Sequence, residues 1–103
     1  MKTYDFVKWL LEHTIKFPKS QRFVMAKRVE DAALNFYDLL LLAVKSTEDK
    51  KETLNRASYE LERLKHYLRL CKDLNFFSIK QYEYSSSQIV EIGRILGGWI
   101  KKA

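Results

Sequence analysis

Residues 54–71 read LNRASYELERLKHYLRLC. Leu54, Ala57, Leu61, Leu64, Leu68 and Cys71 recur at alternating steps of three and four without a break. Those steps put side chains on one stripe of an α-helix, whereas a half-buried strand needs steps of two. Between the stripe residues the stretch is polar or charged except for Tyr59, Tyr67 and Leu70. A helix with one apolar side must bury it against other elements, so this stretch predicts a helical bundle if its neighbours supply partners.

The flanking sequence supplies them. Upstream, Phe23, Ala26, Val29, Ala33, Phe36, Leu40 and Ala43 recur at steps of three and four and predict a helix over residues 20–45, with Ser20 as N-cap. Ser46-Thr47-Glu48-Asp49 reads as a capping box, Asp49 replacing the usual Glu, and opens a third helix over residues 48–74 that Asn75 closes. Downstream, Ser78 and Gln81 form a second capping box, and Phe77 and Tyr82 occupy the two positions of a hydrophobic staple. The fourth helix they open runs to residue 101 with the stripe Tyr82, Ser86, Ile89, Gly93, Leu96 and Ile100. Ahead of the single proline, Pro18, the residues Phe6, Trp9, Leu10 and Ile15 mark a first helix over residues 3–16, with Thr3 as cap. No strand pattern and no linker interrupts the chain. Four helices joined by short loops pack antiparallel to their neighbours, so the expected fold is all-α: one domain, residues 1–103, as an up-down four-helix bundle.

A chain of 103 residues, 47% apolar, can form a core but has much surface for its volume. Residues 39–44, LLLLAV, are apolar on every side of the second helix. A bundle helix needs one apolar stripe, so the far side calls for a cover. The first helix is short and reaches only part of it. Leu39, Leu41, Leu42 and Trp99 are therefore expected at an interface between copies of the chain, with Phe36 and Tyr37 adding apolar surface.

All three glycines, Gly93, Gly97 and Gly98, fall in the fourth helix, where each costs roughly 1 kcal/mol relative to alanine. Gly93 and Gly97 point to nearly one side, and the expected return is close approach by a neighbouring helix. A phosphate-cradling loop would need a preceding strand, a lysine and a hydroxyl at fixed spacing, which are missing. Glu91, Arg94 and Lys101 exclude a membrane GxxxG helix.

Catalytic patterns are absent. His13 and His66 stand far apart without ligand-type neighbours, so neither metal nor other cofactor is expected. Cys71 lies on the core stripe as a small hydrophobe, and Ser85-Ser86-Ser87 has no adjacent histidine motif. No membrane span, small-molecule substrate or N-terminal signal is read, which with a lone cysteine predicts a cytoplasmic protein.

The formal net charge is +6. Residues 16–28 hold Lys16, Lys19, Arg22, Lys27 and Arg28 and no acid. Lys65, Arg69 and Lys72 form a second row, Arg56 and Arg63 a neighbouring one around Tyr59 and His66, and Arg94, Lys101 and Lys102 follow near the C-terminus. Rows of cations repeated around an oligomer suit a polyanion, RNA or DNA, held by its backbone rather than by its bases. A charge serving solubility alone in a structural oligomer is the competing reading.

Three stretches, KFPKSQRFVMAKRVEDAALNFYDLLLLA, LERLKHYLRLCKDLNFFSIKQYE and EIGRILGGWIKK, together resemble the accessory variability determinant (Avd) proteins of diversity-generating retroelements. The spacing of Phe17-Pro18-Lys19, Arg22-Phe23 and Arg28 carries the resemblance, as does the ending from Glu91 to Lys101. Proteins encoded in 23S ribosomal RNA intervening sequences share the looser Phe-Pro and Ile-Gly-Arg signals, and with them the alternative of a structural oligomer of unknown role. The resemblance implies a bacterial or phage-borne, noncatalytic protein. It would assemble as a homopentameric barrel of four-helix bundles and bind a reverse transcriptase and its template RNA. Among the motif positions Lys19, Arg22, Arg28 and Arg94 carry over, with Arg28 and Arg94 also able to pair with Glu30 or Glu91 across the assembly. Asn75-Phe76 departs from the family's usual glycine cap.

Overall fold

A computed structural model describes residues 2–46 and 48–103. The helices are α1 (Lys2–Thr14), α2 (Lys19–Gln21), α3 (Lys27–Lys45), α4 (Lys50–Asp73) and α5 (Ile79–Lys102). A π-helical turn, Arg22–Ala26, joins α2 to α3 without a break, so these three pieces form one rod and the architecture is four rods with no strand among the described residues. At 1.5 Å per residue, 24-residue helices span about 36 Å, which matches a molecule measuring 42 × 23 × 21 Å.

Successive rods run antiparallel. Tyr4 of α1 lies against Tyr37 of α3, and Thr14 reaches Glu30. Trp9 meets Tyr84 of α5 while Lys2 pairs with Glu91. The up-down order is therefore the one expected from short loops. The α4 stripe is buried at every one of its six positions. Val29, Ala32, Ala33 and Phe36 of α3 face it, with Ser85, Ile89, Ile92 and Leu96 of α5. Small residues on α3 let that helix sit close to α4.

The loops decide where the stripes end. Phe76 N–H donates to Cys71 carbonyl at 2.8 Å, and Asn75 N–H to Lys72 carbonyl at 3.0 Å. With Asn75 left-handed (φ 65°), this is a Schellman cap. Phe77 is buried ahead of the next helix, and the Ser78–Gln81 box forms with bonds of 3.1 and 2.8 Å. The other proposed box does not form. Ser46 hydroxyl donates instead to Glu48 carbonyl, and Asp49, left-handed at φ 53°, is the residue before α4 and makes no side-chain cap. Thr47 lies outside the described residues.

Four further expectations need correction. Ser20 is not the N-cap, because the helix starts one residue earlier, behind Pro18, whose carbonyl accepts from Gln21 N–H at 2.8 Å. Phe23 is not in the core but 87% exposed. The steps from Phe23 to Ala26 and from Ala26 to Val29 are both three residues, which turns Phe23 about 120° away from Val29, and Met25 packs on the inward side instead. Ile15 falls in the turn after α1 and is exposed, its place in the core taken by Val7. The glycines do not serve close approach within the chain either: a Cβ on Gly93 would meet Leu61 at an ordinary 3.6 Å, and on Gly97 or Gly98 would meet nothing.

Candidate nucleic-acid interface

Antiparallel packing gathers cations that are distant in sequence. The start of the second rod carries Lys19, Arg22, Lys27 and Arg28, and the C-terminal half of α4 carries Lys65, Arg69 and Lys72. Phe17 ties these ends together: it is 3% exposed and packs on Phe76 and Phe77, with ring centroids 5.4 and 5.3 Å away. The Phe-Pro-Lys step therefore plugs the end of the bundle with an aromatic and turns Lys19 outward. Arg56 and Arg94 lie toward the other half of the bundle, apart from this cluster.

The cations differ in what they already hold. Lys16, Lys19, Arg56 and Arg94 are exposed and make no ion pair among the described residues. Arg22 donates from Nη2 to the Ile15 carbonyl at 3.2 Å, which pins the first loop against the second rod. Lys27 reaches Asp31 at 3.3 Å, Lys65 reaches Glu62 at 3.8 Å, and Asp73 faces both Lys72 at 3.7 Å and Arg69 at 4.0 Å. These are exposed pairs of small energy, readily exchanged for a phosphate. Lys72 also lies 5.0 Å from the Tyr82 ring centroid. The two rows on α4 stand on opposite flanks: Lys65 lines the groove against α5, and Arg56 the groove against α3.

Arg63 is different. Its Nη1 donates to both Glu60 oxygens, at 2.6 and 3.1 Å, and its Nη2 to the Tyr67 hydroxyl at 3.4 Å. The guanidinium sits 5.9 Å from the Tyr59 ring centre and 5.6 Å from that of Tyr67. Glu60 is 7% exposed, so this arginine neutralises a buried carboxylate. The Arg63 hydrogen bond holds the Tyr67 hydroxyl below the ordinary phenol range against the opposing effect of burial, and the Arg28 guanidinium on α3 adds to it. Within the chain Arg28 does not pair with Glu30, which accepts from Thr14 Oγ1 at 2.7 Å, nor does Arg94 pair with Glu91, which Lys2 occupies. Sequence reasoning missed this cluster because nothing in the spacing marks Glu60, one position off the core stripe, as buried. Arg63→Ala is expected to cost about 2 kcal/mol in urea unfolding by stranding Glu60. Restored stability in the Arg63→Leu, Glu60→Leu double variant would identify the stranded carboxylate as the cause.

The nominated interface residues also separate. Leu34 and Tyr37 line the groove between α1 and α3 with Tyr4, Leu11 and Ile15, and Leu41 continues that row one turn on, 45% exposed. Leu39 lines the opposite groove against α4, and Leu42, 50% exposed, continues it. Trp99 is half exposed at the far end of α5, beside Val44 and Leu54. α1 ends its cover of α3 near Tyr37, so the surplus apolar surface read from residues 39–44 is open to solvent on the single chain.

Among the described residues no group of three or more His, Cys, Asp or Glu side chains could hold a metal ion, and no helix is long and apolar enough to cross a membrane. Burial pushes the Cys71 thiol up to about 12, so it stays protonated near neutral pH. His13 stacks on Trp9 at 4.0 Å and donates from Nδ1 to the Trp9 carbonyl, a boundary side chain; His66 is exposed.

A family model described as bAvd-like matches residues 1–103, the whole sequence. The chain belongs to the bAvd-like family. Curated proteins yield no significant match. Membership in the bAvd-like family agrees with the helical bundle and with the motif positions from Phe17 to Arg28 and from Glu91 to Lys101, and it indicates an accessory protein of a diversity-generating retroelement. Proteins of the bAvd-like kind are generally noncatalytic accessories.

Proposed function

We propose that this bAvd-like protein is a cytoplasmic, noncatalytic scaffold that assembles as a homo-oligomer, in the family manner a pentameric barrel, and binds a reverse transcriptase and its template RNA during mutagenic cDNA synthesis. The observation that carries the reading is the convergence of Lys16, Lys19, Arg22, Lys65, Arg69 and Lys72 on one half of the bundle, from two segments distant in sequence. Two apolar flanks support the assembly. Leu41 and Leu42 lie on different sides of α3, and a closed ring needs two different surfaces per subunit, each meeting the other kind on its neighbour. A ring repeats the basic half around its axis, so modest contacts per subunit act together on one phosphate chain.

Binding to RNA led by phosphates is expected to weaken steeply between low and physiological salt, with a log–log slope of about −0.7 per phosphate contacted for single strands. Lys65→Glu with Arg69→Glu should weaken binding further and flatten the slope while helicity by circular dichroism is unchanged. Undiminished binding of RNA and polymerase by the charge-reversed protein would remove this surface from the account. A parent protein indifferent to RNA at low salt would leave only the structural oligomer.

A further inference from the structure

Phe23 is the most exposed large hydrophobic side chain of the described residues, at 87%, and no intrachain ring contact engages it. It stands on the π turn, with Lys19 and Lys27 about one turn to either side and Arg22 adjacent. The 16–28 segment has no carboxylate, and the nearest acids in the chain are engaged: Asp31 by Lys27 and Glu30 by Thr14. Pi turns are rare and often mark functional positions. Here the turn carries an aromatic ring on its outward side.

An exposed ring among cations fits one ligand chemistry well. Phosphates of a single strand pair with the lysines and arginine, and an unpaired base lays its face on the ring. A duplex keeps its bases stacked on one another and offers the ring nothing. We propose that Phe23 is a stacking platform for an unpaired nucleobase, so that the basic half of the bundle prefers single-stranded RNA to duplex. This rests on the nucleic-acid reading above and narrows it to a strand type and a residue.

The test uses the full-length protein with a poly(U) oligonucleotide of about 15 nucleotides, which has little structure of its own, and a poly(A)·poly(U) duplex of equal length. Phe23→Leu keeps the apolar bulk and removes the aromatic face; Phe23→Tyr keeps the face. The expected result is roughly tenfold weaker single-strand binding for Phe23→Leu, parental binding for Phe23→Tyr, and duplex binding unaltered by either. Equal single-strand affinity for Phe23→Leu and parent would overturn the proposal while leaving the scaffold reading intact. So would a loss shared equally by duplex and single strand, or a lower sedimenting mass for Phe23→Leu, which would place the ring in a contact between protein subunits. A parent protein that binds neither probe would end both readings at once.

Discussion

Leu41→Glu is expected to lower the sedimenting mass of this protein toward the 12.3 kDa of a single chain, and Leu42→Glu, tested separately, to do the same. Both residues are about half exposed on the isolated chain, so neither substitution disturbs the bundle core. Each would place a carboxylate in an apolar contact between subunits, and an unpaired charge there costs several kcal/mol, enough to change an association constant by orders of magnitude. The two variants probe different flanks of α3, the α1 side for Leu41 and the α4 side for Leu42. A ring needs both flanks, so either variant alone opens it. Loss of the ring also removes avidity, and RNA affinity should fall by about two orders of magnitude or more, although each subunit loses only one unit of its +6 net charge. Sedimentation of the parent as a monomer at micromolar concentration would refute the interface, and a variant that affects only one flank's contacts would favour a dimer over a ring.

Phe36→Ala should be the most damaging single truncation in the bundle. Phe36 is 2% exposed and belongs to the buried cluster where α3 meets α5, near Ile92 and Leu96. Removing a buried phenyl ring costs about 3–5 kcal/mol, a transfer loss together with the cavity left behind. Whole domains are stable by about 5–15 kcal/mol, so this is a large fraction of the total. A drop in Tm of about 12 °C or more is expected for a domain of this size, measured at fixed protein concentration because assembly also shifts Tm. Val90→Ala, at a position 60% exposed on α5, should melt near the parent and serves as the control. Equal melting of Phe36→Ala and parent would mean that α3 does not present this face to the core.

Periodicity reads helices well and their register less well. The α4 stripe is buried without exception because nothing perturbs its 3.6-residue turn over the whole helix. The second rod misleads at Phe23 because two successive steps of three, to Ala26 and to Val29, carry a helical position off the stripe. On α5 Ile89 and Leu96 are buried as the stripe expects, while its other half is shifted by one position: Ser85 and Ile92 are buried, with Ser86 and Gly93 beside them. A glycine cannot report a face, since it has no side chain to bury. The caps divide along similar lines. Ser78 and Gln81 bond reciprocally over three residues, which sequence alone can specify, whereas the Asp49 turn takes its shape from how α3 and α4 meet.

The candidate interface was legible as charge and not as geometry. An acid-free run of five cations is visible in residues 16–28, and so is the row on α4. Their meeting on one half of the bundle needed the antiparallel pairing of rods and the aromatic plug at Phe17. The capture of Arg63 by buried Glu60 could not be seen at all, because whether a cation is free depends on which side chains the fold brings within hydrogen-bond reach.

Local pattern by itself determined that this chain makes four amphipathic helices in up-down order, with more apolar surface on residues 39–44 than one bundle covers. Those properties follow from spacing and short-range capping, which act over a few residues. Only the tertiary structure decided which cations are already engaged, that Leu41 and Leu42 both lie open to solvent, and that Phe23 does too. Each of these depends on the angle at which one helix meets another, a quantity set by side-chain packing across the whole core.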